Sequence, residues 1–152
     1  MPVPDCDAIE ARVLDALLAD GRASLRSVAD RVGVAATTVS ESLGALEERG
    51  VVRGFAPLVD YGALGYYTAI LELRLAGDPA PTLQRICEEP ALTTVHEAAG
   101  ATDVYAVGRF TGVEALGDRV DALSRLSGVE QVATNVVLTT PVRRRAPPLA
   151  VD

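Results

Sequence analysis

The sequence predicts an α+β fold in two parts, on three observations. From Leu25 to Gly54, two short stretches with helical apolar spacing flank a Gly33-Val34 turn. From Tyr66 onward the apolar spacing shortens from about 3.6 residues to about 2, the period of a strand. The second half then alternates strand and helix patterns in the order β-α-β-β-α-β.

Composition supports a folded chain. Of 152 residues, 49% are hydrophobic, enough for a core and too many for a disordered chain. The length suits one ordinary domain or two small ones. No apolar run reaches membrane-spanning length, and MPVPDCDAIEA lacks the basic start and apolar stretch of a signal peptide. A cytoplasmic chain with no membrane contact is expected. Cys6 and Cys87 are far apart in unrelated contexts, so no disulfide framework is expected. With His96 alone and no CxxC, neither a metal site nor a cofactor is expected. Net charge is −7 and every basic residue is arginine, a composition that fits a high-GC genome or a salt-rich cytoplasm.

The elements follow in chain order. Asp7 to Ala19 carries Ile9, Val13, Leu14, Leu17 and Leu18 on one helix stripe, with Asp5 or Asp7 as its cap and Asp20-Gly21 as its close. Ser24 caps the next helix, which buries Leu25, Val28, Ala29 and Val32. After the turn, a further helix buries Val39, Leu43 and Leu46 and ends at Gly50. Two short helices joined this way form a helix-turn-helix, whose second helix is shaped for a DNA major groove. VVRGFAPLVDYGALG then suits a wing strand and a linker. This divides the chain into a winged helix-turn-helix at 1–60, a linker at 61–65, a second domain at 66–142 and a loose tail at 143–152 containing Arg143, Arg144 and Arg145.

In the second domain, YYTAILELRL (Tyr66 to Leu75) is a strand apolar on both faces, so one face is expected to meet another subunit, burying Tyr67 or Ile70. Gly77-Asp78-Pro79 turns into a helix at Pro81 to Glu88, with Leu83, Ile86 and Cys87 inward. Strands at Leu92 to Ala99 and Val104 to Phe110 flank Gly100 to Asp103; a helix at Val113 to Leu126 and a strand at Val129 to Thr139 complete the run. This is the split βαβ, ferredoxin-like arrangement, a four-stranded antiparallel sheet with two helices on one face.

Read in order, these pieces resemble the leucine-responsive/asparagine-regulator (Lrp/AsnC) family from about Asp7 to Val142. The resemblance rests on DGRAS at Asp20 to Ser24, VADRVGV at Val28 to Val34, LEERGVVRG at Leu46 to Gly54, VDYGALG, the GxxD at Gly100 to Asp103, and SGVEQVATNVVL at Ser127 to Leu138. It implies a transcriptional regulator: a winged helix-turn-helix on double-stranded DNA, joined to a ligand-sensing α/β domain. It also implies a homodimer that pairs through the sheet, assembles to octamers and binds amino acids between dimers.

The candidate DNA-binding residues are Thr37, Thr38, Ser40 and Glu41 on the recognition helix, with Arg22, Arg26 and Arg53 for phosphates. Arg31 is a fourth rim cation able to meet phosphate, and of the four Arg26 and Arg53 have the better positions. Ala35 is a poor cap, and Thr38-x-x-Glu41 fits a capping box that would start the helix a few residues late; Glu41 either fills that role or accepts from a cytosine amino group. The candidate effector-binding residues are Gly100, Ala101, Thr102, Asp103 and Thr134. Asp103 is assigned an ammonium, the backbone N–H groups from Gly100 to Thr102 a carboxylate, and Thr102 and Thr134 the side-chain end of a small or polar amino acid. Thr102 stands where the family more often has an aromatic, and Ala99 where it often has Thr.

The expected function is a sequence-specific DNA-binding regulator whose assembly or affinity responds to an amino-acid-like effector. The alternative is an amino-acid sensor or assembly scaffold with little DNA affinity, which a cation-poor reading helix permits. An enzyme is not expected: the sequence shows no nucleophile–base set, paired carboxylates with a base, phosphate loop or metal cluster.

Overall fold

The structure, a computed structural model, describes residues 6–141. They divide into two compact units, residues 6–57 and residues 58–141.

The first unit holds α1 (Ala8–Ala19), α2 (Leu25–Val32) and α3 (Ala36–Glu48). Asp7 caps α1 by accepting from the N–H groups of Ile9 and Glu10, and Glu10 reaches back to the Asp7 N–H, a complete capping box. Ser24 accepts from the Ser27 N–H at the start of α2. Gly33 closes α2 at φ 75°, a left-handed conformation that a residue with a Cβ adopts only at a cost. That turn lets Val28, Ala29 and Val32 pack with Val13, Ala16, Leu17 and Val39 in one cluster.

Two expectations for this unit are corrected. α3 begins at Ala36 with Ala35 as its uncapped N-cap residue, so the late start at a Thr38–Glu41 capping box does not form. Packing decides the boundary: Val39 is fully buried, and its N–H bonds to the Ala35 carbonyl, which fixes the first turn. The wing segment forms no strand ladder among the described residues. The Val51 and Val52 N–H groups turn back to the Leu46 carbonyl, Gly54 sits at φ 140°, and Pro57 has no N–H to offer.

The second unit holds β1 (Tyr67–Leu75), α4 (Pro79–Cys87), β2 (Leu92–Glu97), β3 (Val104–Phe110), α5 (Val113–Ser124) and β4 (Val129–Val136). The strands form one antiparallel sheet in the order β2-β3-β1-β4. Ala69, Leu71 and Leu73 of β1 and Val104, Ala106 and Phe110 of β3 point to one face, where Ile86 of α4 and Leu116 and Leu123 of α5 cover them. Cys87 is exposed rather than inward; Thr82 takes the inward place on α4 and donates to the Ser127 carbonyl at 2.9 Å.

The opposite face of the sheet is less apolar than the sequence suggested. Alternation puts Thr68, Ile70, Glu72 and Arg74 of β1 there, beside Tyr105, Val107 and Arg109 of β3. The arginine run at Arg143 to Arg145 lies outside the described residues.

Candidate nucleic-acid interface and effector loop

On α3, burial of Val39 and Leu46 turns Thr37, Ser40 and Glu41 outward, and all three are exposed; Thr38 is half-buried. None of these four side chains makes a hydrogen bond or ion pair among the described residues. Because no side chain caps the helix, its first-turn N–H groups also remain open, and such groups suit an anion.

The arginines of this unit fall into two sets. Arg12 donates to the Val32 carbonyl, Arg31 to the Ala16 carbonyl at 3.3 Å, and Arg49 pairs with Glu10 at 2.7 Å. Arg12 and Arg31 complement the negative C-terminal poles of α2 and α1, while Arg49 ties the end of α3 to the first turn of α1. Arg22, Arg26 and Arg53 are exposed, and their guanidinium groups bond to no described residue. Of the four rim arginines read from sequence, Arg22, Arg26 and Arg53 are thus uncommitted, whereas Arg31 is taken up by the Ala16 carbonyl. Arg22 is held in its turn through the backbone, by its N–H to the Asp20 carboxylate.

In the second unit, the loop between β2 and β3 brings Gly100, Ala101, Thr102 and Asp103 together at one end of the sheet. The N–H groups of Gly100, Ala101 and Thr102 donate to no described residue. Asp103 is built into the fold on one side. Its N–H donates to the Leu73 carbonyl at 3.1 Å, and its Oδ2 accepts from the Leu75 N–H at 2.8 Å. That bond satisfies β1 where its register with β4 shifts between Arg74 and Leu75. Oδ1 keeps no partner among the described residues. Thr102 is buried, with its hydroxyl 3.5 Å from Glu72 Oε2.

Thr134 is not brought to this loop. It pairs with Leu71 on the helix-facing side of β4, beyond β1 from β3. The loop bonds to Leu73 and Leu75 instead, two to four residues along β1, about 7–13 Å at about 3.3 Å per residue.

Sequence reasoning passed over two charged residues on the uncovered face, Glu72 and Arg109. Glu72 accepts from Asn135 Nδ2 at 2.9 Å, and Arg109 lies 5.3 Å from the centroid of the Tyr61 ring. The signal available was Glu72, a carboxylate in a strand whose one other charged residue is Arg74.

No group of acidic, His or Cys side chains among the described residues could hold a metal ion, and none of their helices is long and apolar enough to cross a membrane.

Comparison with known proteins agrees with this division. Residues 7–53 match the winged helix-turn-helix DNA-binding model, and residues 68–147 match the Lrp/AsnC ligand binding domain. The HTH-type transcriptional regulator FL11 of Pyrococcus horikoshii is 32% identical over 142 residues, covering 92% of this chain and 93% of its own length. Among solved structures, the leucine response regulatory protein LrpA of Mycobacterium tuberculosis superposes with a TM-score of 0.83 at 23% identity, over 94% of this chain and 99% of that one. A transcriptional regulator of Neisseria meningitidis, solved as a complex with L-Met, superposes with a TM-score of 0.84 at 22% identity, over 95% and 97% of the two chains. These last two likenesses concern the fold. With a DNA-binding model on its first unit and the family's own ligand-binding model on its second, the chain belongs to the Lrp/AsnC family of transcriptional regulators.

Proposed function

We propose that this DNA-binding regulator reads specific sequences through α3, and that an amino-acid-like effector changes its assembly or its DNA affinity. The observation that carries the reading is the α3 face itself. Thr37, Ser40 and Glu41 are exposed without internal partners, above an uncapped helix start, while Arg22, Arg26 and Arg53 are uncommitted. Thr38 belongs to the same reading set. Hydroxyls and a carboxylate can reach base edges, and arginines hold the register on phosphate.

The effector half rests on the loop. The open N–H groups of Gly100 to Thr102 suit a carboxylate, and the free Oδ1 of Asp103 suits an ammonium. Thr134 enters this reading only as a residue outside the loop's reach within one chain. A homodimer that assembles further belongs to the same proposal. The complex of the Neisseria regulator with L-Met is a precedent for the ligand class.

One observation favours the alternative of a sensor or scaffold with little DNA affinity. Residues 6–57 hold eight acidic side chains against six arginines, and three of those arginines are committed internally. Selection of binding sites from random DNA, repeated at several salt concentrations, separates the two. A reading helix enriches a defined site, with a salt slope of about −5 for a dimer that uses three arginines per chain. Failure to enrich any site, with amino-acid binding intact by calorimetry, establishes the sensor.

A further inference from the structure

The uncovered face of the sheet carries an imbalance of charge. Arg74 has Glu130 at 3.8 Å, so that charge has an opposite partner. Glu72 and Arg109 have none among the described residues. Both are half-buried, and they lie on adjacent strands of the same face. Glu72 accepts only from neutral groups, the amide of Asn135 and the distant hydroxyl of Thr102. Arg109 donates through Nη1 to the Gly108 carbonyl at 3.3 Å, and its buried Nε has no acceptor. Tyr61 covers one face of the guanidinium and, with Tyr66 edge-on at 6.0 Å, holds it in place.

The register places these charges symmetrically. Ile70 pairs with Val107 in the apolar middle of the face. Glu72 lies two residues from Ile70 in one direction, and Arg109 two residues from Val107 in the other, because Tyr105 opposes Glu72 and Thr68 opposes Arg109. A second copy placed by a two-fold axis across the strands, above the Ile70–Val107 row, would face the first. The axis carries the row holding Arg109 over the row holding Glu72, with a sideways offset of about one strand spacing, 4.8 Å, and about 10 Å between the sheets. A glutamate and an arginine side chain together span that gap.

We propose that this face seats a second copy of the chain, with Glu72 of each protomer bonded to the partner's Arg109. The inference rests on the homodimer of the preceding reading and adds the pair that fixes its register. An isologous interface makes each contact twice, so one leftover charge of each sign per chain becomes two complete pairs. Covering Glu72 or Arg109 without an opposite charge would be costly, which disfavours other registers of the same two faces.

The test uses the full chain, with sedimentation across a range of concentrations and native mass spectrometry of mixtures. E72R and R109E should each weaken the dimer at least tenfold while their circular dichroism and melting stay close to wild type. When the two variants are mixed, with one carrying a mass tag, both contacts again join opposite charges. In an equimolar mixture heterodimers should then rise from the statistical half to nearly all of the dimer, and the double variant should dimerise within about threefold of wild type. Single variants that dimerise like wild type, or a mixture at the statistical ratio, overturn the pairing. I70D separates this failure from that of the face itself. Dissociation by I70D alone leaves the face as the interface without this pair, whereas unchanged mass in I70D, or a wild-type chain monomeric throughout, overturns both. Rescue by mixing also shows that the single variants fold, because a misfolded chain would give no heterodimer.

Discussion

On α3, Thr37, Ser40 and Glu41 stand exposed with no side-chain bond to any described residue, whereas in the β2–β3 loop Thr102 is buried and Asp103 holds the Leu75 N–H at 2.8 Å. Both regions are short, polar and placed at the edge of a packed unit. The helix leaves these polar groups outside the folding problem, since Val39, Leu43 and Leu46 secure it. In the loop Asp103 serves the fold, and the proposed effector site asks the same side chain to hold a ligand as well. Substitutions on α3 should therefore change recognition with little change in stability, and substitutions in the loop should change both together. Charge follows a similar division: residues 6–57 carry eight acidic and six basic side chains, and residues 58–141 carry eleven and five. The acidity of the chain is concentrated in the unit that need not approach a phosphate backbone.

The sharpest way to break the comparison is Asp103→Ala. Loss of the acceptor leaves a part-buried N–H at the β1 register shift, at a cost of about 1–3 kcal/mol. Chemical denaturation followed by circular dichroism should detect it. Amino-acid binding by calorimetry should be lost in the same variant. Asp103→Asn separates the two roles, because an amide oxygen can keep the Leu75 bond while the negative charge is gone. It should restore most of the stability without restoring binding. Asparagine that binds an amino acid as well as wild type would remove Asp103 from the effector site.

Next in size is the turn that aims α3. Gly33 sits at φ 75° with open space around a Cβ, so Gly33→Ala carries backbone strain alone, about 1 kcal/mol or somewhat more. DNA affinity should fall with stability here. An unchanged melting temperature would mean that the turn is not held in this conformation.

Much of this was legible in the sequence, and the rest was hidden for identifiable reasons. Helical spacing marked Val13, Leu17, Val28 and Val32, and the Asp7 and Ser24 caps are local, so a single chain segment determines them. Sequence pointed to four rim arginines, and could not show that one of them, Arg31, reaches back to the Ala16 carbonyl. What escaped depends on partners distant in sequence. Asp103 meets Leu75 across 28 residues, and Asn135 meets Glu72 across 63. Thr134 offers a hydroxyl that suits a pocket, yet the β1–β4 register sets it opposite Leu71, two to four residues along β1 from the loop's partners Leu73 and Leu75. Ala35 misled in the opposite sense: its poor capping chemistry argued for a later helix start, and burial of Val39 overrode it.

That uncapped start gives a third prediction, now of the opposite sign. Ala35 already has extended backbone angles, φ −72° and ψ 150°, as a capping residue should. Ala35→Ser should stabilise the first unit by about 0.5–2 kcal/mol, measured as a rise in thermal midpoint. If α3 meets phosphate at its N-terminus, Ala35→Asp should stabilise equally and weaken DNA binding, since its carboxylate would occupy the same N–H groups. Equal DNA affinity in both variants would take that end of the helix out of the interface.

The smallest expected effect is also the most diagnostic. Gly44 lies within α3, one turn after Ser40 and Glu41, and a Cβ built on it meets no atom within 4 Å. Nothing inside the chain therefore requires glycine there, and its helical backbone gives no reason of strain. Glycine in a helix interior costs about 0.5–1 kcal/mol relative to alanine, so the fold would be better served by the larger residue. Gly44→Ala should raise stability by about that amount in denaturant titrations. If the same helix face lies in a DNA groove, the added methyl enters the space through which the helix approaches, and affinity for the selected site should fall severalfold as stability rises. Opposite signs in the two measurements would place Gly44 in the reading face alongside Thr37, Ser40 and Glu41. A variant that gains stability and binds DNA as well as wild type would confine the interface to the first half of α3.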